Sequence, residues 1–274
     1  MLLLRDDLAK LLGFKNYAEL SLSKKMAESP QQVISFLREL AVKSRPQAEK
    51  EYEQLNQFAR ETGLKDDIQA YDFAYYAEKL KKQQFNVNDE DYKPYFEKNS
   101  VIKGLFRFLK KLFKLDFEEV KVPVWHPTVS VFHLYRKGNL IGRLYLDLEA
   151  RKGKRDGAWM DEWVRLSPQY GRKNSSPCSF CVANFPLPHR IDLPPQTIRC
   201  ETLFHEMGHA LHHLLSRVEE PFVSRISGVE WDAVEVSLPV FRSLRHEPSV
   251  LKEFAYHYKT GKNFQHQKEM KLKS

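Results

Sequence analysis

The order in which sequence textures follow one another constrains this 274-residue chain more than any single motif does. Up to about residue 115, apolar residues recur at helical spacing. From Val120 to about residue 186 the texture changes to short β-branched and aromatic runs bounded by Gly, Pro and Asn; from about residue 195 the helical spacing returns. Strands gathered in one block between two helical blocks, with no βαβ alternation, predict a mostly helical α+β fold. Its expected form is a multi-helix body with a small antiparallel sheet beside the last helical block.

Turn signals subdivide the blocks. Leu8, Leu11 and Leu12 belong to a first helix, and Pro30 suits a first helical turn ahead of Val33, Phe36, Leu37 and Leu40 on one face. Pro46 reads as the start of another helix, through Tyr52, Leu55 and Phe58. "DFAYYAEKLKKQQF" and "VIKGLFRFLKKLF" continue the series. In the middle block, "VKVPVWHP", "VSVFHLYRKGNLIGRLYLDL" and "CSFCVANF" read as strands, with Gly138 and Asn139 in a hairpin turn. After Pro194 and Pro195 come a helix, a Ser/Gly-containing connection from Ser224 to Gly228, and two further helices.

Several function classes drop out. No apolar run approaches the roughly 20 residues that a membrane helix needs, so no spanning segment is expected. "MLLLRDDLAKLLGF" meets charges at once and has no small-residue cleavage site, which makes it an amphipathic helix rather than a leader. Three cysteines are too few for a disulfide framework and favour a reducing compartment; the cytoplasm is the expectation, with an organelle as the alternative. The formal charge of +8 raises nucleic acid as a partner. Lys103, Arg107, Lys110, Lys111 and Lys114, however, alternate with Leu105, Phe106, Phe108, Leu109 and Phe113 as on a helix with a solvated basic face, so no nucleic-acid partner is expected.

The chemistry concentrates in "TLFHEMGHALHHLL", residues 202–215. His205 and His209 are four apart, so on a helix both imidazoles reach one ion. Glu206 leaves the helix about 100° round from His205, beside the ion, where a free carboxylate accepts a proton from water that the metal activates. His209 and His213 share the same spacing, but Ala210 follows His209 and accepts no proton, so the first pair is chosen. His212 and His213 read as flanking residues held by hydrogen bonds. Leu203, Phe204, Met207, Leu211, Leu214 and Leu215 would make a core helix with or without a metal. Against that, His-Glu-x-x-His arises by chance in roughly one chain of this length in a hundred. A catalytic zinc takes a third protein ligand, and "ISGVEWDAVEVSL" offers Glu235 on the next predicted helix. Glu230 and Asp232 are rivals for that place, and Asp232 to Glu235 also fits a helix capping box.

"LFHEMGHALHHLLSR" followed by "ISGVEWDAVE" resembles the thimet oligopeptidase and oligopeptidase A family of zinc metallopeptidases, whose pattern is Phe-His-Glu-x-Gly-His and then Asp-x-Val-Glu. The likeness extends upstream through "LLGFKNYAELSLSKKMAESPQQV", "DFAYYAEKLKK", "VWHPTVSVFHLY" and "LYLDLEARKGKRDGAWMD". It implies His205, His209 and Glu235 as ligands of one Zn²⁺, Glu206 as general base, short oligopeptides as substrates, and a helical two-lobed body with a small sheet beside a deep channel. By this resemblance the chain is one catalytic-domain fragment: a helical scaffold to about residue 115, a small sheet over 120–186 and zinc-site helices over 195–274.

The sequence also departs from the family. Val236-Ser237-Leu238-Pro239 stands where Pro-Ser-Gln usually follows the glutamate, and Arg242 where an acidic residue is common. The family's C-terminal helical region, with Tyr and His groups that stabilise the tetrahedral intermediate, has no counterpart before Ser274, and an N-terminal helical portion is missing too. Losing such a stabiliser costs about 10²–10³ in turnover. The alternative expectation is therefore a truncated relative that binds zinc and peptides or a partner, with weak or absent catalysis.

Cys178, Cys181, His189 and Cys200 have the spacing for a structural zinc site, but "CSFCVANF" reads as a strand and its cysteines as small core residues. "GKRDGAW", residues 153–159, is either a channel-lining loop or a surface loop with solvated basic residues. His126, His133, His246 and His257 have no metal-like spacing.

Overall fold

The computed structural model describes residues 1–85, 92–164, 176–186, 199–218, 220, 223–236 and 238–264. Its elements are α1 (Leu2–Leu11), α2 (Tyr17–Leu22), α3 (Pro30–Glu61), α4 (Phe73–Phe85), α5 (Lys98–Phe113), β1 (Leu115–Glu119), β2 (Ser130–Arg136), β3 (Asn139–Glu149), β4 (Trp159–Val164), β5 (Cys178–Phe185), α6 (Cys200–Leu215), α7 (Leu238–Leu244) and α8 (Pro248–Phe254). The helices before and after one block of strands give the expected α+β class. Pro194, Pro195 and His189 lie outside the described residues.

The chain divides into two units, Met1–Asn88 with Glu230–Ala233, and the remainder. In the first unit, Asn16 and Ser29 cap α2 and α3 by accepting from the N–H groups of Glu19 and Gln32, with Pro30 in the first turn of α3. Helix α3 then runs unbroken for 32 residues, and Pro46 lies inside it instead of starting a new helix. Proline removes one bond to the carbonyl four residues back, that of Val42. Val42 is exposed, so water can replace the lost bond. Only the far end of α3 is buried, where Leu55 and Ala59 pack with Ile68, Leu64, Tyr76, Ala77 and Leu80. Buried Asn56 pins the following loop, accepting from the Ile68 N–H at 3.0 Å and donating to Asp67 at 3.2 Å. Phe36, Leu37 and Leu40, the expected apolar face of the first half, are exposed.

In the second unit the strands form one five-stranded sheet in the order β1-β2-β3-β5-β4. It is mixed, not wholly antiparallel: β5 inserts between β3 and β4 and runs parallel to β3. The outer strand β4 has no sequence signal beyond "WMDEWV", and sequence reading took its start for part of a loop. "VKVPVWHP" is not a strand, since two prolines deny the segment ladder donors; the first strand instead begins at Leu115, at the end of the helical block. The β2–β3 turn falls one residue earlier than expected, on Lys137 (φ 52°) and Gly138 (φ 77°), which is the paired positive-φ geometry of a tight hairpin.

One sheet face carries Val131, Tyr145, Cys178 and Phe180, packed with Val129, Val120, Val122 and Val124. Helix α6 packs on β3, β4 and β5. At Gly142 of β3 a Cβ would come within 2.8 Å of Leu214, so glycine there lets α6 settle against the sheet. Basic residues of α5 are engaged: Arg107 and Lys111 both pair with Glu253 of α8, and Lys110 pairs with Asp116. Charge on this helix joins elements within the unit.

Candidate metal centre

The sequence of α6 produces a helix with two kinds of surface. Leu203, Phe204, Met207, Ala210, Leu211 and Leu214 are at most 3% exposed and anchor it. Phe204 meets Phe254 of α8 with ring centroids 5.6 Å apart. From this anchored helix His205 and His209 project one turn apart, with ring centroids 5.1 Å apart and planes at 87°. Glu235 comes from a turn segment immediately ahead of α7, not from a helix as expected. Its carboxylate reaches both rings: Oε2 lies 3.2 Å from His205 Nε2 and Oε1 3.6 Å from His209 Nε2.

One ligand atom from each of the three residues lies within 4.8 Å of the others. Two ligands held about 2.1 Å from a tetrahedral ion stand ~3.4 Å apart, so these separations fit a single small cation. Two imidazoles and a carboxylate are also the donor types that zinc accepts. No other such group of His, Cys, Asp or Glu occurs among the described residues.

Electrostatics around the group follow from burial. Glu206, the residue after His205, is 6% exposed, and burial, with the nearby Glu235 charge adding to it, pushes its carboxyl up to about 7. A cation in the site would oppose both causes. Burial also lowers His209, outweighing the pull of Glu235 in the other direction, and so favours the neutral imidazole that a metal requires.

Of the rival ligands, Asp232 and the cysteines are engaged elsewhere. Asp232 accepts from the backbone N–H groups of Met26 and Ala27 at 2.9 and 3.1 Å, so it does not form the capping box either. Cys178 and Cys181 lie three apart on β5 and so point to opposite faces. Cys181 donates to the Glu206 carbonyl at 3.4 Å, and burial holds its thiol in the protonated form. Cys200 is likewise pushed up to about 12 by burial. The other histidines with described bonds have structural partners: His126 meets Thr128 at 2.8 Å, His133 accepts from Arg143 at 3.2 Å, and His257 accepts from two backbone N–H groups.

Two features escaped sequence reading. His213, taken for a flanking residue, is fully buried, and its Nδ1 lies 2.7 Å from Glu162 Oε2 on β4. Only its place on the stripe of His205 and His209 could have flagged it. The basic loop "GKRDGAW" is not a merely solvated one: the Lys154 side chain is 4% exposed and its ammonium lies 2.6–2.9 Å from the carboxylate and carbonyl of Asp147 and the carbonyls of Glu149 and Ala183. Arg151 forks onto the same Asp147 carboxylate, and Trp125 donates to it. Asn184 donates to the carbonyls of Arg155 and Gly157, holding the loop beside Arg199 and Thr202, at the start of α6, around an open cavity of about 380 Å³. Arg242, a departure from the family pattern, pairs with Glu201 in the first turn of α6 and so ties α7 to the metal-site helix.

A helix that offers two imidazoles to one point, a carboxylate from the following segment and a buried glutamate between them defines the His-Glu-x-x-His class of candidate metal sites. Comparison with known proteins gives the lineage. The profile of peptidase family M3 matches residues 1–273, and the chain belongs to that family. Oligopeptidase A of Escherichia coli is 45% identical over 266 residues, covering 95% of this chain and 39% of the relative. The organellar oligopeptidase A of Arabidopsis thaliana is 36% identical over 282 residues, covering 99% and 36%. Dipeptidyl carboxypeptidase of E. coli is 30% identical over 277 residues, covering 99% and 40%. The chain therefore spans about two-fifths of the length of these relatives.

Proposed function

We propose that the chain carries the zinc site of a metallo-oligopeptidase, with one Zn²⁺ held by His205, His209 and Glu235 and with Glu206 as general base. The observation that supports this most is the convergence within 4.8 Å of ligand atoms from two histidines of α6 and from Glu235 on a later segment. Membership of a peptidase family supports the reaction class. A bound zinc ion would supply Lewis-acid polarisation of a peptide carbonyl and a lowered pKa for water at the site. The chain's own residues do the rest: the neutral imidazoles and the Glu235 carboxylate hold the ion, and Glu206 takes a proton on its carboxylate and returns it to the leaving amine. Short oligopeptides are the proposed substrates, as the relatives' names suggest. The proposed location is the cytoplasm, with an organelle as the alternative; relatives carry names of both kinds.

The alternative reading is zinc and peptide or partner binding with weak or absent turnover. One experiment separates the two. Zinc content and cleavage of a short-peptide panel are measured with and without chelator, for the natural chain and for Glu206→Gln. Chelator-sensitive cleavage that falls about 10²–10⁴-fold in Glu206→Gln while zinc is retained supports the peptidase. Stoichiometric zinc with no cleavage in either protein supports the binding reading, and zinc retained in His205→Ala refutes the site.

A further inference from the structure

The proposed metal ligands His205 and His209 sit on the upper turns of α6, and the lower end of that helix carries a polar contact with no part in the proposed chemistry. His213 is fully buried, whereas a leucine at the same position would avoid the cost of desolvating an imidazole. Its Nδ1 lies 2.7 Å from Oε2 of Glu162, a side chain only 21% exposed. Glu162 belongs to β4, the outermost strand, which among the described residues is joined to the sheet only through β5. The β4–β5 register shifts between Glu162 and Val164, an irregularity of the kind that re-aims a side chain.

Apolar packing of α6 on the sheet sets how close the helix lies, but leucine and phenylalanine contacts tolerate small rotations about its axis. A close polar pair restricts them more, because drawing His213 Nδ1 away from Glu162 Oε2, 2.7 Å off, would leave a buried imidazole without its carboxylate neighbour. His205, His209 and His213 lie on one i, i+4, i+8 row, so a contact that fixes His213 fixes the rotation of the whole row. Atoms at the tips of these side chains stand some 6 Å from the helix axis, so a rotation of about 10° moves them by ~1 Å, twice the tolerance of a metal site.

We propose that the His213–Glu162 pair is a positioning clamp: it locks the rotation of α6 against β4 and so fixes the point at which the His205 and His209 nitrogens converge. Neither residue touches the ion. The proposal rests on the zinc reading above.

The test uses the full chain, stripped of metal. Zinc affinity is measured by competition with a chromophoric chelator, ligand geometry by the visible spectrum of the Co²⁺-loaded protein, and stability of the metal-free form by urea unfolding. His213→Ala is expected to weaken zinc binding about tenfold and to change the cobalt spectrum, with Glu162→Gln acting in the same direction. His213→Asn, which keeps an N–H donor where Nδ1 stood, is expected to recover most of the affinity. Leu109→Ala, a fully buried change in α5, lowers stability and leaves affinity and spectrum unchanged. The clamp is overturned if Glu162→Gln and whichever His213 variants fold bind zinc within about twofold of the natural chain with an unaltered spectrum. It is equally overturned if Leu109→Ala shifts them as much. A natural chain that binds no zinc, or a His205→Ala chain that still binds it, strikes the zinc reading itself, whereas normal binding with indifferent clamp variants strikes only the clamp.

Discussion

Helices α3 and α6 were both legible as amphipathic patterns, and the structure uses them in opposite ways. Of the 32 residues of α3 only Leu55, Asn56, Phe58 and Ala59 are buried. Of the 16 residues of α6 ten are buried, including Glu206, His209 and His213. Periodicity reports that a segment has an apolar face; it does not report whether anything covers that face. Charges divide in the same way. The pairs Lys10–Asp6 and Lys43–Glu39 of the first unit are exposed i, i+4 contacts, whereas Asp147 in the second unit is 4% exposed between Arg151 and Lys154. The embedded helix holds groups at fixed positions, and chemistry needs that.

The comparison is open to attack at several points. The largest effect is expected from His209→Ala, which should abolish stoichiometric zinc binding, as read by metal analysis after gel filtration. Phe204→Ala removes a ring at 0% exposure and should cost about 3–5 kcal/mol, measured by the urea midpoint of the metal-free chain. Asp147→Asn should cost a similar ~3–5 kcal/mol, because it leaves Arg151 and Lys154 without their buried partner.

A smaller effect is expected from acid. Burial alone would raise the Asp147 carboxyl, but bonds from Arg151, Trp125 and Lys154 outweigh it and hold the group below the usual carboxylate range. The unfolded chain then takes up the proton first as pH falls. The stabilisation is complete above the ordinary value near 3.9 and is lost progressively on acidification below it. The urea midpoint should therefore drop as pH falls from about 4 towards 2, and more steeply than in Asp147→Asn. At the small end, Leu37→Ala on the exposed face of α3 should change stability by no more than about 0.5 kcal/mol. A loss near that of Phe204→Ala would show that α3 is covered in solution, and would dissolve the contrast.

Much of the architecture was legible because it depends on local signals. Pro30 at the start of α3, the helical spacing of α5 and α6, and a turn signal near Gly138 each act within a few residues. The failures share a cause. Pro46 reads locally as a start signal, yet an exposed helix back tolerates it. Strand β4 carries too short a pattern to be seen without the β5 strand that pairs with it, and the parallel β3–β5 pairing joins segments whose order on the chain does not announce it. Lys154 is a basic residue in a loop by sequence and a buried tie by structure, because three carbonyls and a carboxylate from strands β3 and β5 converge on it.

The sequence by itself determined the α+β class, the peptidase lineage and the spacing that puts His205, Glu206 and His209 on one helix, since the pitch of a helix turns a difference of four residues into a shared face. Only the tertiary structure decided that the Glu235 carboxylate stands 3.2 and 3.6 Å from the two imidazoles, that Asp232 is drawn to Met26 and Ala27 instead, and that His213 is buried against Glu162. Those outcomes join residues tens to hundreds of positions apart. No local rule specifies such a distance; it is set by how helices and sheet pack, once the whole unit has found the arrangement that buries its apolar faces.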